Sequence, residues 1–315
     1  MTESHACCVD ISDENESTLT CGMLSFKDTE SHDRNSSSNS GSGSLLSFDS
    51  TCSQASSKAT TMNNRKQTGT QIVFEIVTYK VINGLHKKYV AYTLLIKKTP
   101  GLDKFPAIVE RRYSEFLDLF LNLRRQFPEK MQSVTYFPKK TVVGNFKPEI
   151  IKSRSRAFLQ FLHHIYNEDE LRFSDELADF FYNDEVKEAR TKMQSGQFEE
   201  AIPPMENAYF VQEKILGECH SRTLCTLCEV VALHNALDNS SEALKFAEIA
   251  LNMFQLGCEE ENELYPSLLQ LMIRLRWNLG QEKRDLESQL HDLTKMGLKV
   301  DCLPTLLDIV MKKSN

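Results

Sequence analysis

Residues 71–315 predict an α+β module, a three-stranded antiparallel sheet with helices, followed by an all-α region. Three observations carry that expectation. A β-branched and aromatic run, Ile72 to Ile82, ends at Asn83-Gly84 and is answered by a second run, Lys88 to Ile96. Beyond Ser114 the apolar residues recur at helical rather than alternating spacing. From Asp184 onward the pattern is continuous helix, punctuated by small-residue turns. With 315 residues, 41% hydrophobic and 26% charged, the chain has the composition of a soluble globular protein. It is long enough for two domains and a tail.

The first 70 residues are expected to be a disordered, Ser-rich acidic tail, since Ser36 to Ser57 offers too little apolar area to offset chain entropy. Met23-Leu24-Ser25-Phe26 and Leu45-Leu46-Ser47-Phe48 resemble each other there, as docking motifs or by chance in a biased segment. Cys7-Cys8 lacks an adjacent membrane anchor that would favour acylation. The polar start, Met1 to Cys8, has neither the basic opening nor the apolar core of a secretory signal. No run approaches the roughly 18 apolar residues needed to cross a bilayer. The nine cysteines follow no regular framework, so reduced thiols in the cytoplasm and a peripheral membrane attachment are expected.

Order is expected from Gln71. The first strand runs to Ile82, and Asn83-Gly84 signals a hairpin turn. The second strand closes at Pro100-Gly101, and Ala107 to Arg112 forms the third. Ser114 is placed as the cap of a helix whose apolar face is Phe116, Leu117, Phe120, Leu121 and Leu123. After a loop through Phe137-Pro138, Lys147–Ile165 carries a stripe of Ile150, Ile151, Phe158, Leu159, Phe161 and Leu162. Leu171 to Phe181 is read as one further helix.

Charge singles out this module. Residues 71–166 hold 17 Lys/Arg against 7 Asp/Glu, a balance of +10 in a chain of net charge −7, which leaves −17 elsewhere. A basic module in an acidic protein implies a local anionic partner, phospholipid or nucleic acid. Arg112, Tyr113 and Ser114 fall where a strand gives way to a helix, whose N-terminal amides favour phosphate. Arg112 can clamp a phosphate bidentately, Tyr113 offers a flat apolar face, Lys140 a point charge, and Arg154 can close the far side. The plainer alternative is that Arg111, Arg112 and Arg154 pair with carboxylates and Tyr113 is core.

The order strand, strand, strand, Arg111-Arg112-Tyr113-Ser114-Glu115-Phe116, helix, Phe137-Pro138-Lys139-Lys140, helix with Arg154 resembles the PX domain of the sorting nexin family, over residues 71–182. That resemblance implies phosphoinositide binding: Arg112 on the 3-phosphate with Ser114 beside it, Tyr113 as the stacking ring, Lys140 on the 1-phosphate, and Arg154 on the remaining hydroxyls or phosphates. Arg111 would mainly support the fold. The family's double proline is here Phe137-Pro138, so the register admits Lys139 or Lys140; Lys140 is taken. The loop Thr141 to Lys147 has an apolar tip, Val142, Val143 and Phe146, flanked by lysines, which suits membrane insertion or packing under the next helix.

Residues 183–315 repeat a motif. Gln194-Ser195-Gly196-Gln197 precedes Glu200-Ala201, and Asp238-Asn239-Ser240-Ser241 precedes Glu242-Ala243, 42 positions on. With Leu264–Leu279 and Glu282–Met296 these resemble tetratricopeptide-like hairpins of a helical-repeat domain that holds a protein partner or cargo. Pro203-Pro204 should kink or restart its second helix. A PX domain followed by such helices resembles the sorting-nexin branch with a PX-associated domain B, the stretches Arg154 to Phe158 and Arg274 to Gly280 reading closest to it. The branch implies an adaptor in protein transport on the cytoplasmic side of the early endosome, with phosphatidylinositol 3-phosphate favoured and bisphosphates tolerated.

Cys225-Thr226-Leu227-Cys228 lacks a second pair at finger-like spacing, and His163-His164 lacks a nucleophile. No metal, cofactor or catalytic activity is expected. The alternative function is a basic nucleic-acid-binding module on a helical scaffold; no row of exposed aromatics or standard motif supports it.

Overall fold

The computed structural model describes residues 69–83, 88–134, 136–141, 143–257 and 263–313. The expectations for the tail, the Asn83-Gly84 turn beyond Asn83, and Val142 lie outside these residues. Three strands, β1 (Gln71–Asn83), β2 (Lys88–Thr99) and β3 (Ala107–Arg112), form an antiparallel sheet in that order. Asn83 pairs with Lys88, and the register shifts between Ile76 and Thr78. That extra residue moves the inward side from Phe74 and Ile76 to Tyr79 and Val81, so one bulge reconciles two alternation phases in one strand.

Helix α1 (Tyr113–Gln126) follows β3 without a loop, and α2 (Pro148–Asn167) begins on a proline, whose missing N–H costs nothing in a first turn. Their rings meet over the sheet: Phe116 and Phe158 stack at 3.9 Å, with Tyr92 edge-on to Phe158 at 5.3 Å. Leu119, which the expected stripe omitted, is buried, whereas Leu121 is exposed. The single helix expected from Leu171 to Phe181 is instead α3 (Asp169–Arg172), α4 (Asp175–Ala178) and a π turn (Asp179–Asn183). Ser174 causes the break: its Oγ accepts the Leu177 N–H and caps a new start.

The remaining helices are α5 (Asp184–Gln194), α6 (Phe198–Ile215), α7 (Ser221–Ala236), α8 (Ser240–Gln255), α9 (Leu264–Asn278), α10 (Arg284–Lys295) and α11 (Leu306–Lys313). Each of α5 to α9 packs on its successor, and α11 returns onto α7, α9 and α5. Left-handed backbone occurs at Gly196 (φ 78°), Asp238 (φ 58°) and Gly280 (φ 66°), which stand 42 positions apart at the α5–α6, α7–α8 and α9–α10 turns. At each, the next N–H reaches back five residues: Gln197 to Lys192 O, Asn239 to His234 O and Gln281 to Arg276 O, at 2.9, 2.9 and 2.8 Å.

Pro203 and Pro204 neither end nor restart α6. The carbonyls they leave without donors belong to the exposed Glu199 and Glu200, where water can serve, and buried Ala201 and Met205 hold the helix on both sides. Helix α6 also joins the two cores. Ala208, Val211 and Ile215 belong to the core of the sheet, Met205 and Tyr209 to that of the helices, and Phe210 packs against both.

Candidate functional site

Strand period decides the fate of two adjacent arginines. Along β3 residues alternate buried and exposed, so Arg111 points inward and Arg112 outward. Arg111 donates from Nε to Phe180 O at 2.5 Å and pairs with Glu185 at 2.7 Å. It ties the sheet to the chain entering α5. Arg112 is 54% exposed, with its guanidinium 5.7 Å from the Tyr89 ring centre.

Arg112 is also the N-terminal flank of α1, and its own N–H is taken by Glu115 Oε2 at 2.6 Å. Glu115 therefore makes the reach-back half of a capping box. The helix begins two residues earlier than expected. Ser114 is its second residue rather than its cap, and its side chain lines the pocket described next.

Arg112, Tyr113, Ser114, Lys140 and Arg154 line one pocket of about 210 Å³ between the start of β2, the start of α1, the loop before α2 and α2 itself. All five residues singled out from sequence thus converge. Arg154, 4% exposed, donates to Thr141 Oγ1 at 3.0 Å and Asn145 Oδ1 at 2.9 Å, and lies 4.3 Å from the centre of the Tyr113 ring. Among the described residues it has no carboxylate partner. Burial pushes the Tyr113 phenol above its usual pKa, against the Arg154 charge. Its hydroxyl donates to Pro138 O at 2.7 Å and fixes the lysine loop against the ring. Phe137, at the departure from the double proline, stacks on Phe120 at 4.5 Å and anchors that loop in the core.

The pocket has wall residues that sequence reasoning missed: Lys88, Tyr89, Val90 and Asn145. Phe146, expected at a membrane tip, lines it as well, with Lys88 Nζ 5.2 Å from its ring centre. Val143 is 85% exposed. Lys139 and Lys140 are both exposed, and of the two Lys140 lines the pocket. One carboxylate, Glu115, stands near Arg112, its Oε2 4.0 Å from Nε. The site is a cationic, partly aromatic cleft, suited to an anion carrying several oxygens on an apolar ring. Cys225 and Cys228 lie in α7, and among the described residues no group of three or more His, Cys, Asp or Glu could hold a metal ion.

The PX domain family model matches residues 100–184, from the β2–β3 loop to the first residue of α5. Mouse (Mus musculus) sorting nexin-21 is 35% identical over 244 residues, covering 77% of this chain and 66% of its own length. The human (Homo sapiens) sorting nexin-21 is also 35% identical over 244 residues, with 65% of its own length covered. Cattle (Bos taurus) sorting nexin-20 is 32% identical over 222 residues, covering 70% of this chain and 69% of its own length. The chain thus spans just under two thirds of the sorting nexin-21 proteins. It carries a PX domain with a helical C-terminal region and belongs to the sorting nexin family.

Proposed function

We propose that the chain is a peripheral membrane adaptor that reads phosphoinositides on the cytoplasmic face of the early endosome and serves protein trafficking there. The observation that carries this reading is the buried Arg154 guanidinium, without a carboxylate among the described residues, converging with Arg112 and Lys140 on one cleft. A buried cation balanced only by neutral oxygens and a ring is costly unless an anion completes it. Arg112 takes the 3-phosphate with Ser114 beside it, Lys140 the 1-phosphate, Tyr113 the ring face, and Arg154 the remaining hydroxyls.

Phosphatidylinositol 3-phosphate is the favoured lipid, and Lys139, Lys147 and Arg156 leave room for bisphosphates. Exposed Val143, with Phe146 behind it, supplies a second, apolar attachment beside the headgroup. Among the described residues no helix is long and apolar enough to cross a membrane, in keeping with peripheral attachment. Residues 71–182 act as the lipid reader and residues 183–315 as a helical-repeat domain for a protein partner. The turn spacing of 42 supports the repeat reading.

Flotation with liposomes bearing each phosphoinositide tests this. Wild type should float with 3-phosphorylated lipid, and Arg112→Ala should bind at least about tenfold more weakly with an unchanged melting temperature. Equal flotation of the folded variant would reduce the cleft to nonspecific electrostatics.

A further inference from the structure

A second cavity, of about 560 Å³, opens at the seam between the sheet and the helices. Phe105, on the β2–β3 loop, lies flat on Phe210 of α6, ring centres 5.1 Å apart and planes 1° from parallel. Phe246 and Ile249 of α8 extend the apolar wall. Phe105 is nonetheless 58% exposed. A stacked aromatic pair open to water on a concave wall is unusual in a closed core, and it is incomplete as packing.

The charges beneath that wall do not cancel. Lys214, its side chain almost wholly buried, donates to Phe105 O at 2.7 Å and pairs with Asp103 at 3.5 Å and Glu213 at 3.2 Å. Lys98 pairs with Glu213 and, at 2.9 Å, with Glu218. With the Lys245–Glu242 pair of α8 on the same wall, three ammonium groups face four carboxylates, and the surplus negative charge emerges at Glu218, 60% exposed on the rim. Burial, with Glu213 and Glu218 adding to it, raises the pKa of the Tyr209 phenol in the same wall. The wall already accepts a cation: Lys214 Nζ lies 5.7 Å from the Phe210 ring centre.

We propose that this seam cavity docks an extended basic segment of a protein partner, one Arg or Lys stem laid on Phe105 and Phe210 with its charged head at Glu218. Only such a side chain covers the aromatic face and neutralises the surplus charge together. Access is available while lipid is bound. Lys88, at the headgroup pocket, and Lys98, at the seam, stand near opposite ends of β2, on the order of 35 Å apart at strand rise.

The test uses the full chain and a fluorescein-labelled nonapeptide, three repeats of Gly-Leu-Arg, with a Gly-Leu-Glu counterpart as control, followed by fluorescence anisotropy. The Arg peptide should bind and the Glu peptide should not. Glu218→Lys and Ile249→Asn, both at solvent-facing positions, should each weaken binding at least tenfold. Ile249→Asn should melt like wild type, and Glu218→Lys should stay folded but melt a few degrees lower because it loses the Lys98 pair. Arg112→Ala should leave binding unchanged, which separates this result from the lipid reading. No binding up to about 1 mM peptide, or equal binding by both folded variants, would overturn the proposal. So would loss of liposome flotation in those variants with peptide binding intact, which would make the seam a membrane contact.

Discussion

Arg154 is held by Thr141 Oγ1, Asn145 Oδ1 and the face of Tyr113, all neutral groups around a buried charge. Such a residue serves binding more than folding, because burial of an uncompensated cation opposes stability. Arg154→Met should therefore melt within about 3 °C of wild type while headgroup affinity falls at least about tenfold. A drop of roughly 10 °C would instead make Arg154 a structural residue. Arg112, Tyr113, Lys140 and Arg154 were legible in the sequence as charged or aromatic groups in its most basic stretch, and Ser114 through its place beside Arg112 at the junction of strand and helix. The separate fates of Arg111 and Arg112 also follow from strand period alone. Tyr89 and Asn145 were not legible. Tyr89 reaches Arg112 only through the β2–β3 register, which pairs Ala91 with Arg112, and Asn145 only through the course of an irregular loop.

At the scale of elements, β3 is an edge strand whose free side is covered by one side chain from α6. Asn207 Oδ1 accepts the Ile108 N–H at 3.1 Å and its Nδ2 donates to Ile108 O at 2.8 Å, as a neighbouring strand would. Asn207→Ala should expose that amide, and hydrogen exchange at Ile108 should quicken about fivefold, near 1 kcal/mol. An unchanged rate would mean that water already replaces the contact. Element types were readable from periodicity, boundaries less so. Ser174 could be seen as a residue that favours caps, but only its bond to Leu177 shows a new helix starting there. The contact of Asn207 with β3 spans 99 residues of sequence, beyond any local pattern.

For the whole molecule, acid stability should fall in two steps. Burial lowers the His163 pKa, so its contribution is present above about pH 6.5 and is lost as pH falls through the lowered native value. Burial pushes the Asp103 carboxyl up, but the N–H groups of Lys98 and Phe105 and the Lys214 ammonium outweigh it and hold it low; Lys98 holds Glu218 low against burial. Their contributions are present above about pH 4 and are lost below it. Melting temperatures across pH should show both steps, and His163→Gln should remove the first; one step in both proteins would refute the assignment. The seam itself was invisible in sequence, because Phe105 and Phe210 stand 105 positions apart and only the tertiary packing stacks them. Its position also sets a length. With the headgroup cleft on a bilayer, β2 along its normal and a partner segment in the seam, the seam stands about one strand length above the lipid. A partner anchored in the same bilayer would need about ten fully extended residues between its anchor and its docking segment, and shorter tails could engage only from a different membrane.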